Sequence, residues 1–203
     1  MDSAGASFRS YKGVFESFGI PFGTLDFERT YATDWHHTYR AMGLPEGSWD
    51  EADRRWVAHY RQEDTKLVPE ARRSLERLLA LGIRLGVVTG GDRARVCAEM
   101  ERLGVGALPE TVVCRDDVPF LKPHPAALLQ GLENLGLRPA EAAYLGDSPE
   151  DILMSRAAGV YSVGLFGGFP NREALRSAGP DQVAESLGQA IECLLDEGRG
   201  ALP

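Results

Sequence analysis

From residue 70 onward the apolar and polar positions repeat one phrase: an amphipathic helix, a glycine stop, then a short apolar strand. The segment EARRSLERLLAL places Ala71, Leu75, Leu78 and Leu79 on one helical face and stops at Gly82. The run IRLGVVT then predicts a buried strand, because Ile83, Leu85, Val87 and Val88 leave little polar surface. A second helix, DRARVCAEMERL, stops at Gly104 before the strand TVVCR, and a third runs to Leu135 and stops at Gly136 before AAYLGD. A fourth, PEDILMSRAA, stops at Gly159 before YSVGLF. Strands alternating with helices in this way predict crossover units, and hence a parallel sheet covered on both faces. A last helix, over 186–196, packs through Leu187, Ile191, Leu194 and Leu195.

The first 65 residues follow a different pattern. Phe8, Tyr11, Phe15 and Phe18 recur at helical spacing, as do Phe27, Tyr31 and Trp35. Ser48 and Glu51 have the spacing of a capping box opening a third helix, with Trp49, Ala52, Trp56 and Tyr60 along one face. No strand is evident there, and all three tryptophans fall in this stretch. The pattern therefore predicts a small all-helical domain over residues 1–66 and an α/β domain over 67–203.

Composition narrows the function classes. The apolar share of 43% and charged share of 26% are those of a folded globular protein. A formal net charge of -8 argues against nucleic acid or an anionic membrane surface as a partner. No apolar run approaches the ~20 residues of a membrane span, and the start MDSAGASFRS lacks the pattern of a signal peptide. Cys97, Cys114 and Cys193 are scattered, so reduced thiols and a cytoplasmic location are expected.

Parallel sheets bind ligands beyond the carboxyl ends of their strands. The strand LGVVT ends at Thr89, followed by Gly90 and Gly91. The loop after TVVCR carries Lys122, one of only three lysines, with Pro123 and Pro125 beside it to stiffen the backbone. The strand AAYLG ends at Asp147, and Asp151 follows four residues on. Each alone has a plain structural account. Thr89 can simply end a strand and Gly90-Gly91 can be a turn, while Lys122 can be a solvated lysine. In Ser148-Pro149-Glu150-Asp151, serine, proline and acid suit the cap and first turn of a helix. That account leaves out Asp147, a carboxylate closing an apolar strand. Two acids so spaced suit a hard, octahedral Mg2+ ion, and with the hydroxyl and the ammonium they suit a phosphate group held beside that metal.

The ordered set T-x-x, K-P-x-P and G-D-x-x-x-D resembles the haloacid dehalogenase superfamily of phosphohydrolases, nearest its phosphoglycolate phosphatase and β-phosphoglucomutase branch. VVTGG looks like the second motif, LKPHP the third and LGDSPED the fourth. The resemblance implies a Rossmann-like, doubly wound parallel sheet with a helical cap domain, and a Mg2+-dependent phosphatase acting on a small phosphorylated metabolite. It implies that Thr89 and Gly90 bind phosphoryl oxygens, that Lys122 neutralises charge on phosphate and nucleophile, and that Asp147 and Asp151 serve the metal. His36, His37, Arg40 and Arg61 in the helical part are candidate substrate contacts, although solvated helix faces explain each of them as well.

Two departures matter. Gly90 stands where relatives often carry a polar side chain. The family's first motif, D-x-D, supplies nucleophile and general acid/base, and no D-x-D occurs in these 203 residues. Without an attacking carboxylate such covalent catalysis stops, so the chain as given is expected to be inactive, and a sheet without its central strand has new edges. Rival readings remain: a catalytically silent domain binding a phosphorylated ligand or partner protein, and a sugar phosphomutase. The paired acids disfavour a metal-free dehalogenase, and Lys12 and Lys66 lack the setting of a Schiff-base phosphonate hydrolase. The gene is expected to reach further upstream than Met1. In-frame translation of that DNA should yield an apolar strand ending in D-x-D, and a stop codon or unrelated sequence there would overturn the expectation.

Overall fold

The computed structural model describes residues 3–32 and 35–201, and the chain divides into two compact units, residues 1–66 with 168–172 and residues 67–167 with 173–203. The first unit is helical: α1 (Ala4–Ser17), α2 (Thr24–Thr30), α3 (Trp35–Ala41) and α4 (Trp49–Tyr60). Its core is aromatic because the α1 stripe turns Tyr11, Val14 and Phe15 inward, all at most 1% exposed. Phe15 stacks on Phe22 at 4.7 Å between centroids, and Tyr11 meets Trp56 of α4 edge-on at 5.9 Å. The helices approach closely at Gly13, where a Cβ would fall 2.7 Å from the His59 ring. Phe169 joins this unit by stacking on Tyr31 at 4.8 Å.

Two expectations for this unit need correction. The spacing of Phe27, Tyr31 and Trp35 predicts one helix, yet α2 ends at Thr30, where Tyr31 takes φ -57° and ψ 126°. The chain folds back instead: the buried Thr38 of α3 donates its Oγ1 proton to the Thr30 carbonyl at 2.9 Å, and Trp35 stacks on Trp56 at 4.3 Å. The aromatic spacing thus serves two short helices sharing one core. The capping box at Ser48 does not form either. Ser48 lies in the αR region after a short 3-10 turn, not in the extended conformation an N-cap serine needs, and Glu51 pairs with Arg54 and Arg55.

The second unit alternates helix and strand: α5 (Ala71–Ala80), β1 (Gly86–Val88), α6 (Arg93–Arg102), β2 (Thr111–Val113), α7 (Ala126–Leu135), β3 (Ala143–Gly146) and α8 (Pro149–Ala158). It continues with β4 (Tyr161–Leu165), α9 (Arg172–Ser177), whose first residue clusters with the helical unit, then β5 (Gln182–Ala184) and α10 (Leu187–Ala201). All pairings among the described residues are parallel, as the crossover pattern requires; α7 packs on β2 and β1, and α8 on β3 and β4, the two strands it connects. α9 and β5 have no strong periodicity. β5 is held by Asp181, whose carboxylate accepts from the Ser162 amide and hydroxyl of β4, both at 2.7 Å.

The strands form two ladders, β1–β2 and β3–β4–β5, rather than one sheet. Burial follows that division. In β4, flanked on both sides, Ser162, Val163 and Gly164 are buried. β1, flanked only by β2, has an exposed glycine and two half-buried valines, and Ile83 ahead of it is 39% exposed. The run from Ile83 to Thr89 is therefore a three-residue strand, not the long buried one its apolarity predicts, because among the described residues one side has no neighbouring strand. No helix among the described residues is long and apolar enough to cross a membrane.

Replacing Phe15, 0% exposed, with alanine should lower stability in chemical denaturation by about 3–5 kcal/mol. Leu25→Ala, at a side chain 73% exposed, should cost less than about 0.5 kcal/mol. Equal effects would contradict this core.

Candidate functional site

Asp147 directly follows the last residue of β3 and with Ser148 makes the turn into α8, so the strand-to-helix turn is built from the G-D-S-P-E-D segment. Its helix start forms as the residue types predict: the Ser148 hydroxyl accepts from the Asp151 amide at 3.2 Å, and Pro149 occupies the first helical position. Asp151 is drawn back over the turn. Its Oδ2 accepts from the amides of Asp147 and Ser148, both at 3.2 Å, and from Ser148 Oγ at 2.9 Å. Gly146 is required for this: a Cβ there would lie 2.2 Å from that of Asp151, closer than any side chain can accommodate.

Oδ1 of Asp151 receives Lys122 Nζ at 2.7 Å, with both side chains largely buried (15% and 8% exposed). Lys122 reaches in from the loop ahead of α7, past a cis Lys122–Pro123 peptide. Its ammonium also donates to the Val88 carbonyl at 3.1 Å and to the Tyr144 hydroxyl at 2.9 Å. Tyr144 Oη in turn lies 2.9 Å from Val88 O and 3.2 Å from Asp151 Oδ1. Burial alone would favour a neutral Lys122, but the Tyr144 and Asp151 oxygens outweigh it and hold the ammonium charged well above the ordinary lysine range.

Thr89 follows Val88, so it stands next to this knot along the chain. Its amide donates to Val113 O at 2.9 Å, and its Oγ1 accepts from the Gly91 amide at 3.2 Å, closing a turn around the exposed Gly90. The Arg95 guanidinium lies against Gly91, where a Cβ would meet Nη2 at 2.1 Å. Sequence reasoning missed Tyr144, Ser148 as a donor to Asp151, and the Val88 carbonyl. A tyrosine in an otherwise apolar strand, three residues before Asp147, is the one signal that pointed there.

Asp147 differs from Asp151. Burial pushes its carboxyl up to about 6, and the nearby Asp151 carboxylate adds to the rise, while Lys122 offsets part of it. Gly167, beyond β4, leaves room beside it: a Cβ there would sit 3.1 Å from Asp147 Oδ2. A withdrawn carboxylate with a like charge nearby and open backbone beside it fits a divalent cation as one hard oxygen ligand. Asp151 is already saturated by its donors and has little lone-pair capacity left for direct ligation. Among the described residues no group of three or more acidic, histidine or cysteine side chains is placed to hold a metal.

A family model described as haloacid dehalogenase-like hydrolase matches residues 1–165. The phosphoglycolate phosphatase of Escherichia coli (strain K12) is 34% identical over 140 residues, 69% of this chain and 56% of that protein. The chain thus spans about half the length of the curated relatives it matches. Among solved structures, a haloacid dehalogenase-like family hydrolase from Streptococcus pneumoniae superposes with a TM-score of 0.81 at 20% identity, covering 97% of this chain and 91% of that one. A β-phosphoglucomutase from Clostridium difficile gives a TM-score of 0.76 at 16% identity, covering 96% and 90%. At such identities these two show a shared fold.

The raised carboxyl of Asp147 has a signed consequence in metal-free buffer. Its folded value of about 6 exceeds the ordinary 3.8, so the folded state binds the extra proton between those values. That stabilisation is complete below pH ~3.8 and is lost as pH rises through ~6. Asp147→Asn should remove this decline and be about 1–3 kcal/mol more stable than the parent at pH 7, relative to the two at pH 4. Parallel stability-pH profiles for the two proteins would contradict the assignment.

Proposed function

The chain belongs to the haloacid dehalogenase-like hydrolase family, and on that premise we propose that it carries the phosphate- and Mg2+-holding half of a phosphatase site for a small phosphate monoester, of the kind phosphoglycolate represents. The observation that supports it most is the buried Lys122–Asp151 pair at 2.7 Å beside Asp147, at the carboxyl ends of β1 and β3. In this reading Thr89 donates its hydroxyl proton to a phosphoryl oxygen, and the turn at Gly90 offers backbone amide there. Lys122 balances negative charge on the phosphate. Asp147 holds the Mg2+, and Asp151 fixes Lys122 and the turn that carries Asp147. Mg2+ bound there supplies electrostatic stabilisation of charge on the transferring phosphoryl group. The attacking carboxylate is the part these 203 residues do not include. Residues 1–66 take the role of a helical cap and 67–203 that of the core.

One observation favours a second reading. All three N–H donors of Lys122 are engaged within the protein, so on this second reading the lysine serves the fold rather than a reacting phosphate, and the domain binds a phosphorylated ligand or partner protein without turnover.

Calorimetric titration of the chain with orthophosphate, with and without Mg2+, tests the site. Lys122→Met should weaken binding at least about tenfold. In a chain extended to include a D-x-D strand, hydrolysis of p-nitrophenyl phosphate should need Mg2+ and fall about 100-fold or more on Asp147→Asn. Binding indifferent to Lys122 would overturn the proposal, and binding without turnover in the extended chain would support the second reading.

A further inference from the structure

An ammonium has three protons to give, and the geometry of Lys122 accounts for all three. They go to Val88 O at 3.1 Å, Tyr144 Oη at 2.9 Å and Asp151 Oδ1 at 2.7 Å. A phosphate oxygen can therefore be met only if one of these bonds is given up. The bond to Asp151 joins opposite charges at the shortest distance and is the most expensive to break. Val88 O belongs to the backbone of β1, on the side facing away from β2: the neighbouring residues Leu85 and Thr89 use their own groups to pair with Glu110 and Val113. Breaking that contact would leave a strand-edge carbonyl with less solvation. The Tyr144 hydroxyl is neutral, and its own proton has another outlet at Val88 O, 2.9 Å away.

We propose that Tyr144 is a positioning residue that parks one N–H of Lys122 and yields it to an arriving phosphate oxygen, so that this tyrosine sets the anion affinity of the site. The proposal rests on the phosphate-site reading above and adds a regulator to it. Tyr144 competes with the ligand rather than touching it. Lys122 Nζ lies 2.9 Å from the hydroxyl and 5.4 Å from the ring centroid, so it sits beyond the ring edge along the C–O direction, where the ring face makes no cation–π contact with it. The hydroxyl alone is therefore the competing group.

Tyr144→Phe isolates that hydroxyl. Only Lys12, Lys66 and Lys122 contribute to a 15Nζ lysine spectrum, and Lys122→Met identifies the signal of interest. In the parent, the buried Lys122 ammonium should exchange its protons slowly, and orthophosphate should shift its resonance. In Tyr144→Phe, exchange should quicken and orthophosphate should bind about five-fold more tightly by calorimetry. Binding by the variant alone would also support the proposal, since the tyrosine would then be blocking the site. Binding by both with equal or weaker affinity in the variant overturns the parking role and leaves the phosphate site standing. Binding by neither overturns both. Tyr144→Leu, which also removes the ring, serves as the second variant if Tyr144→Phe loses the dispersed spectrum of a folded chain, and tighter orthophosphate binding is expected of it too.

Discussion

The ion pair between Lys122 and Asp151 organises the α/β unit around it. Both side chains are largely out of water, and a buried charge without its partner is destabilising by about 3–5 kcal/mol. The surroundings are accordingly arranged to serve it. Gly146 has no side chain because Asp151 occupies the space where its Cβ would be. Ser148 caps α8 and also donates to the same carboxylate. The Asp147 and Ser148 amides, which would otherwise be unpaired at the end of β3, point at Oδ2. One carboxylate therefore fixes the end of a strand, the start of a helix and the position of a lysine from a third loop.

The same knot lies between the two ladders. A strand with one neighbour leaves its other row of N–H and C=O groups without ladder partners. For β1 the Val88 carbonyl is such a group, and it is met by side chains instead: Lys122 from a loop and Tyr144 from β3. Tyr144 thus ties β3 to β1 where no ladder does. A single hydroxyl cannot replace a strand's worth of hydrogen bonds or its shielding, which is why Gly86 and Ile83 stay exposed while Val163 in the flanked β4 is 0% exposed.

The repeating helix-glycine-strand phrase made most of the α/β unit legible, since α5 to α8 and β1 to β4 arise where apolar periodicity and glycine stops put them. What escaped depended on contacts distant in sequence. β5 has little apolar signal and is placed by Asp181 holding β4. The break after Thr30 comes from Thr38 donating back to it, which spacing alone cannot show. In the site, Lys122 and the two acids stood out by residue type and spacing. Tyr144 did not, because a tyrosine in a strand ordinarily signals packing, and only the fold brings its hydroxyl to an ammonium 22 residues away.

Asp147 and Asp151 show why spacing could nominate a pair without dividing its labour. Both are carboxylates on one turn, four residues apart. Asp151 faces inward to three donors on Oδ2 and a lysine on Oδ1, so the protein itself balances its charge. Asp147 shares the same turn, where burial and then the charge of Asp151 push its carboxyl up to about 6 while Lys122 offsets part of the rise. A cation at Asp147 would relieve both effects, whereas one at Asp151 would have to displace donors already in place. The acid bonded to the lysine thus fixes the turn, while the acid beside it is held with its carboxyl above the ordinary range. The difference arises from which backbone amides the turn directs at which carboxylate.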